Sequence, residues 1–198
     1  GGTKRVDFEK IAALKPDLII GNKEENSKED IEALEKDYKV WMSDIYTFED
    51  ALEMIFEVSG FTNSEEKGID ILRAISRTKD AFREPIDLKK AVYFIGNDPY
   101  MVVGKNTFID DMLYHAVYVN VVMKDRYLEL SIENLKTLDP EVILLSSEPF
   151  PFKKKHVDAL KKHLPAVEIK IVDGEMFSWY GSKLTKAFPY FAWLNSTL

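Results

Sequence analysis

The sequence contains no cysteine among its 198 residues. Disulfide bonds, thiolate metal sites and cysteine nucleophiles are therefore excluded. Long apolar runs are also missing, because no stretch approaches the roughly 20 apolar residues that a membrane-spanning helix needs. The longest apolar runs, Leu18 to Ile20 and Val142 to Leu145, have the length of buried strands.

Positively charged residues are in the minority: the sequence has 27 lysines and arginines but 34 aspartates and glutamates, which gives a formal net charge of -7. Nucleic-acid binding needs a basic face, so the sequence predicts no nucleic-acid partner. One basic cluster combines Lys153 to Lys155 with Lys161 and Lys162 on a predicted helix. We interpret that cluster as a solvated helix face.

Motifs of several enzyme classes are absent. The segment Gly104 to Thr107 follows a predicted strand, but it lacks the earlier glycine of a phosphate-binding loop, and Asn106 separates the lysine from the threonine. Neither G-x-G-x-x-G nor G-x-S-x-G occurs. His115, His156 and His163 do not have the spacing of a zinc site. We therefore predict no catalytic residue, no metal ligand and no enzymatic activity.

Hydrophobic periodicity predicts helices that alternate with strands, and the predicted helix starts include Ser27 with Asp30, Thr47 with Asp50, Thr107 with Asp110, and Ser131. The predicted helices cover residues 7–14, 27–36, 47–60, 64–84, 107–116, 131–138, 153–163 and 182–194, with a kink at Pro189. The predicted strands cover residues 17–21, 39–42, 91–95, 101–103, 142–146 and 168–172. Such alternation favours an α/β fold with mainly parallel sheets flanked by helices.

The segment 64–84 predicts a single long helix, about 30 Å in length, that ends before Pro85. We interpret it as a linking helix, residues 63–86, between a first lobe at residues 1–62 and a second lobe at residues 87–198. Two strands are predicted before it and at least four after it. We therefore expect the first lobe to be N-terminally incomplete.

Ligands of open parallel sheets bind at the carboxyl ends of the strands. The first lobe places Asn22, Lys23, Glu24, Glu25, Asn26, Ser43, Asp44 and Tyr46 there, and the second lobe places Asn97, Asp98, Tyr100, Ser146, Ser147, Glu148, Phe150, Phe152, Asp173, Glu175, Phe177, Trp179 and Tyr180. The loop aromatics either pack against a large ligand or cover the end of the sheet. The glutamates could be general acids or bases, metal ligands, docking charges or solvated surface groups.

Four segments follow one another in a characteristic order: GGTKRVDFEKIAALKPDLIIGNKEEN, VVGKNTFIDDML, RYLELSIENLKTLDPEVILLSSEPFPF and DGEMFSWYGSKL. In this order they resemble the helical-backbone (class III) periplasmic solute-binding proteins of ABC importers for ferric siderophores, haem and cobalamin. The resemblance covers residues 1–194. It implies two lobes joined by one long spine helix, with the ligand in the cleft between them.

The resemblance also implies site residues, partners and a location. Expected ligand contacts are Asn22, Lys23, Tyr46, Tyr100, Phe150, Phe152, Glu175, Phe177, Trp179 and Tyr180, and expected docking charges for arginines of an ABC permease are Glu24, Glu25 and Glu148. No intrinsic cofactor is implied; a corrinoid, haem or ferric siderophore would be the transported ligand. The implied location is the periplasm or the cell surface. An α/β enzyme using cleft carboxylates and a receptor for a bare metal ion are the alternatives.

Three departures from the family pattern stand out. Family members begin with a strand and a helix upstream of the position that matches Gly1. Asn22 stands where cobalamin receptors can carry an aromatic residue, which weakens the cobalamin assignment. His115 to Val117 stand where a glycine is common.

Overall fold

A computed structural model of the protein describes residues 2–83 and 87–197. The chain packs as two units, Gly1–Ile45 and Tyr46–Leu198, which we call unit 1 and unit 2. The mixture of helices and sheets confirms the predicted α/β class. Within the described ranges, no helix combines the length and the apolar character needed to cross a membrane.

Unit 1 contains four elements, α1 (Phe8–Leu14), β1 (Ile19–Asn22), α2 (Lys28–Leu34) and β2 (Val40–Ser43). The two strands pair in parallel, with Ile19 opposite Val40. Asp7 caps α1 and Ser27 caps α2, each accepting a hydrogen bond from a backbone N–H in the first turn. All four elements lie within two residues of their predicted bounds.

Unit 2 begins with two consecutive helices, α3 (Phe48–Phe61) and α4 (Glu65–Ala81). Thr47 and Asp50 form a capping box at the start of α3, as the sequence predicts. The long helix is confirmed, but it has 17 residues and ends at Ala81, where Phe82 turns to an extended backbone and packs on Phe188. Pro85, the predicted stop, lies outside the described residues.

The division into unit 1 and unit 2 is based on packing and falls after Ile45. It does not test the predicted lobe limits at residues 62 and 86, which stay a prediction. Both helices contact one another inside unit 2, and α4 also contacts the last helix. Gly68 permits the close approach of α4 to α3, since a Cβ there would lie 2.5 Å from the side chain of Ser59. Ile75 is fully buried on the same face of α4.

The sheet of unit 2 has six strands among the described residues, β3 (Lys89–Asn97), β4 (Tyr100–Val103), β5 (Tyr118–Asn120), β6 (Tyr127–Glu129), β7 (Val142–Ser146) and β8 (Glu168–Val172). Their order is β6-β4-β3-β7-β8, and β5 pairs with the start of β3. β3 pairs in parallel with β5 and with β7, and β7 pairs in parallel with β8. By contrast, β4 is antiparallel to both β3 and β6. The sheet is therefore mainly parallel with an antiparallel edge.

Five further helices cover this sheet, α5 (Phe108–His115), α6 (Ile132–Leu138), α7 (Lys154–His163), α8 (Glu175–Ser178) and α9 (Leu184–Ser196). Pro189 lies inside α9. The prediction of a loop after β8 was wrong at α8, a single turn too short to show a helical period. The strands β3 and β7 form the centre of the core, because Val92, Phe94, Ile143 and Leu145 are fully buried.

Candidate functional site

The carboxyl ends of β7 and β8 meet in unit 2. Ser146 is paired with Val172, so the residues that follow the two strands start side by side. The backbone N–H of Gly174 donates to the hydroxyl of Ser147 at 3.0 Å. The strand-end rule therefore brings the segments after β7 and β8 together, as the sequence predicts.

Glu148 holds the segment after β8 in place. Its Oε1 atom accepts hydrogen bonds from Ser178 Oγ at 2.7 Å and from Trp179 Nε1 at 2.8 Å. Hydrogen bonds to an ionised acceptor are stronger than those between neutral groups. The ring of Trp179 is 50% exposed, yet its N–H is fixed by this carboxylate.

Lys183 approaches the same tryptophan from another direction. Its Nζ atom lies 5.4 Å from the centroid of the Trp179 ring and donates a hydrogen bond to Glu175. That hydrogen bond, together with the negative charge of Glu175, raises the pKa of Lys183 above its ordinary value, although desolvation opposes the shift. The ammonium group therefore stays charged beside the ring, where a cation–π contact is favourable.

A buried polar layer lies beneath Glu148. Ser146 Oγ donates to the backbone carbonyl of Glu148 at 2.5 Å and accepts from the hydroxyl of Tyr93 at 3.2 Å. Gly174 closes over this layer, since a Cβ there would lie 2.2 Å from Ser146 Oγ and 2.7 Å from Glu148 Cγ. Glycine is therefore required at this position by close approach.

Tyr93 gives the buried layer a measurable pH dependence. Burial raises the pKa of its phenol far above the ordinary value of 10.0, and the charges of Tyr190, Glu148 and Asp173 add to the effect, while the hydrogen bond with Ser146 opposes it. The folded phenol keeps its proton where an unfolded tyrosine releases it. Its contribution to stability is thus complete below pH 10.0 and is lost as the pH rises through the raised pKa.

We expect the free energy of unfolding to fall with pH above 10.0, and the phenol of Tyr93 should contribute about 1.4 kcal/mol per pH unit to this fall. Guanidinium unfolding measured between neutral and strongly alkaline pH checks this slope. Tyr93→Phe should make the slope shallower, whereas Tyr114→Phe, on a side chain that is 66% exposed, should leave it unchanged. An identical slope in all three proteins would contradict the assignment.

Two of the predicted ligand aromatics lie in the core of unit 2. Phe152 is 5% exposed and packs edge-on against Phe94 at 6.4 Å. Phe177 is fully buried, 4.9 Å from the ring of Phe191. Phe150 is half-buried against Phe152, with ring centroids 4.8 Å apart. Their packing is that of aromatic residues that cover the end of the sheet, which is one of the two alternatives that the sequence left open for these side chains.

The remaining predicted aromatics of unit 2 are partly accessible. Tyr100 starts β4 and packs edge-on against Phe94 at 5.6 Å. Tyr180 packs edge-on against Phe108 at 5.3 Å. The guanidinium of Arg126 lies 5.9 Å from the ring of Tyr46. Trp179, at 50% exposure, is the most exposed of the seven predicted aromatics, and we centre the candidate site on it.

In unit 1, the ends of β1 and β2 are also joined by side chains. Asn22 Oδ1 accepts hydrogen bonds from the backbone N–H groups of Glu24 and Glu25 at 2.9 and 3.2 Å, and its Nδ2 donates to Ser43 at 3.1 Å. Lys23 forms an ion pair with Asp44. Asn22 therefore organises the turn that carries the exposed Glu24 and Glu25.

Sequence reasoning missed two members of the site. Ser178 was passed over within the aromatic segment, although its hydroxyl donates to Glu148. Lys183 follows Glu175 by eight residues across a turn, and no helical or strand period links the two positions. The only available signal was a lysine close to a carboxylate and an aromatic residue in one segment.

A family model described as periplasmic binding protein matches residues 1–170. No curated protein matches the chain. The haem-binding protein BhuT, solved with two haems, has 20% sequence identity and a TM-score of 0.82, with 98% of this chain and 79% of that chain covered.

Two solved periplasmic binding proteins of Vibrio cholerae are also similar to this chain in structure. The haem-binding protein HutB has 20% identity and a TM-score of 0.78, and the match covers 97% of this chain and 82% of HutB. The vitamin B12-binding protein BtuF has 15% identity and a TM-score of 0.75, with coverages of 98% and 80%. At such identities the likeness establishes a shared fold.

Proposed function

Because the chain belongs to the periplasmic binding protein family, we propose that it is the solute-binding component of an ABC importer, located in the periplasm or at the cell surface. The proposed ligand is an iron complex, either a ferric siderophore or haem, or a cobalamin-type corrinoid. The observation that carries this choice is the half-exposed Trp179 ring, held by Glu148 and Lys183 at the carboxyl end of the sheet. Structural neighbours that bind haem or vitamin B12 support the same ligand class.

The fixed tryptophan suits a large ligand with an extended flat face. Its N–H is occupied by Glu148 and Lys183 lies over one face of the ring, so ligand stacking is proposed on the opposite face. Since the ring is already oriented, ligand binding does not have to restrict a freely rotating side chain, and affinity gains accordingly. Trp179 is therefore the proposed central ligand contact.

The charged groups beside the ring are the carboxylates of Glu148 and Glu175 and the ammonium group of Lys183, which is paired with Glu175, so we propose no preference for an anionic chelate. Glu175 raises the pKa of Lys183 above its ordinary value, and the Lys183 ammonium group lies 5.4 Å from the centroid of the Trp179 ring. Tyr180, Glu175, Tyr100, Tyr46, Phe150, Asn22 and Lys23 remain proposed ligand contacts, whereas Phe152 and Phe177 are proposed to support the surface from the core.

The carboxylates favour binding over catalysis. A general acid and base need two carboxyl groups whose pKa values are pushed apart in one site. Here Glu148 is bound by Ser178 and Trp179, while Glu175 is bound by Lys183. Each carboxylate therefore has its own donor, so we propose that Glu148 positions Trp179 and that Glu175, besides contacting the ligand, positions Lys183.

We propose Glu24 and Glu25 as docking charges for arginines of a membrane permease, because both side chains are exposed at the tip of the turn after β1. Glu148 was also predicted to dock. Since one of its carboxylate oxygens already accepts two hydrogen bonds, the structure favours a role in positioning Trp179.

Titration of the purified chain with haemin, a ferric siderophore and cyanocobalamin tests the proposal. We expect one of these ligands to quench tryptophan fluorescence in a saturable 1:1 manner and to raise the melting temperature, since a ligand at 100 times its Kd stabilises the folded state by about 2.7 kcal/mol. The metal-free siderophore and ferric ion alone serve as controls. If none of the three chelates binds, the proposed ligand class is wrong.

A further inference from the structure

A second group of polar side chains joins the first turn of α3 to α5. It consists of Glu49, Asp111 and His115, and its ligand atoms all lie within 4.8 Å of one another. Asp111 and His115 are one helical turn apart on α5, with His115 Nε2 3.5 Å from Asp111 Oδ2. Three side chains from two helices thus bring one oxygen or nitrogen atom each into a small cluster, and none of the three belongs to the group of residues around Trp179.

Two of the three donors are held in place by their surroundings. Asp111 Oδ2 accepts a hydrogen bond from the backbone N–H of Phe48 at 2.7 Å. The ring of His115 lies 5.0 Å from Phe48 and 6.0 Å from Phe188, and its side chain is only 14% exposed. Glu49 is exposed and can adjust its rotamer. The arrangement therefore combines a fixed pair of ligands with one adaptable ligand.

We propose that Glu49, Asp111 and His115 form a binding site for a divalent transition-metal ion of the Zn²⁺ or Co²⁺ type. One imidazole nitrogen and two carboxylate oxygens are a ligand set that Zn²⁺ accepts, and three protein ligands leave a coordination position for water. Metal–ligand distances near 2.0–2.2 Å put donor atoms about 3.3 Å apart, so the three groups must draw closer around the ion. The exposed side chain of Glu49 supplies most of that movement.

Lys79 is the charge that balances this site when no cation occupies it. Its Nζ atom lies 3.9 Å from Glu49 Oε1 and 4.3 Å from the centroid of the Phe48 ring. An incoming metal ion has to displace or tolerate this ammonium group, because like charges at such distances repel. Removing the charge of Lys79 should therefore strengthen metal binding at Glu49, Asp111 and His115.

Titration of the full chain with Co²⁺, followed by visible absorption and by competition with Zn²⁺, tests the site. We expect saturable 1:1 binding that His115→Ala and Glu49→Gln each weaken by at least about tenfold. Lys79→Met should strengthen binding severalfold. The matched controls are His163→Ala, at the end of α7, and Glu53→Gln, one turn further along α3, and both should bind Co²⁺ as the unchanged protein does.

Two outcomes would overturn the proposal. One is the absence of saturable Co²⁺ binding up to about 1 mM, a range in which even weak sites fill. The other is an unchanged Co²⁺ affinity and spectrum in Glu49→Gln, whose exposed side chain allows the substitution without disturbing the core. The metal test is independent of the chelate titration, since none of its three residues belongs to the site around Trp179.

Discussion

Replacing Gly104 by alanine is expected to lower the free energy of unfolding by about 3 kcal/mol or more, the upper end of the usual cost of overpacking. An added Cβ would lie 1.9 Å from the carbonyl oxygen of Lys124 and 2.9 Å from that of Arg126. Both obstacles are backbone atoms, which cannot rotate away as a side chain can. Gly104 N–H donates to the Arg126 carbonyl at 2.7 Å, so the two segments cannot separate without losing that hydrogen bond.

Gly60→Ala is the matched control for this substitution. Gly60 lies in α3, and outside its chain neighbours and the adjacent backbone of that helix no heavy atom lies within 4 Å of the position of its added Cβ. Alanine in a helix is favoured over glycine by about 0.5–1 kcal/mol, so this variant should be slightly more stable. Denaturant unfolding followed by circular dichroism measures both changes, and equal stabilities of the two variants would contradict the close approach at Gly104.

The importance of Gly104 could not be predicted from the sequence. The glycine was visible only as a failed phosphate-loop motif, and the segment that it touches joins β5 to β6, two strands of three residues each. Strands this short show no readable period. By contrast, Thr47, Thr107 and Ser131 each cap a helix as predicted, because a capping side chain acts on a backbone N–H only a few residues away.

The candidate site was predictable in its location but not in its detail. The strand-end rule placed the segments after β7 and β8 together because it depends on strand direction alone. It could not distinguish buried Phe177 from half-exposed Trp179, two residues apart, since α8 is only one turn long. The pairing of Lys183 with Glu175 depends on how the turn between α8 and α9 folds back, which sequence spacing does not specify.

Trp179→Ala is expected to weaken chelate binding by about 30-fold, corresponding to about 2 kcal/mol, the loss that marks a central aromatic contact. The substitution removes the stacking face and leaves Glu148 without one of its two donors. Trp179→Phe keeps an aromatic face but loses the N–H, so its ring is less firmly oriented, and we expect a smaller loss. Glu148→Gln retains an acceptor without the negative charge and should fall between the unchanged protein and Trp179→Ala.

Haemin is the probe for this series, with Kd values from fluorescence titration and melting temperatures recorded without ligand. Trp193→Ala is the control. Trp193 lies on α9 and is 56% exposed, so its substitution removes a comparable ring from the surface. It should leave the Kd unchanged. Equal losses in Trp179→Ala and Trp193→Ala would indicate nonspecific adsorption of haemin to surface aromatics. A large loss confined to Trp179 and Glu148 would place ligand recognition at the carboxyl ends of β7 and β8, because there the Glu148 carboxylate fixes the exposed ring of Trp179.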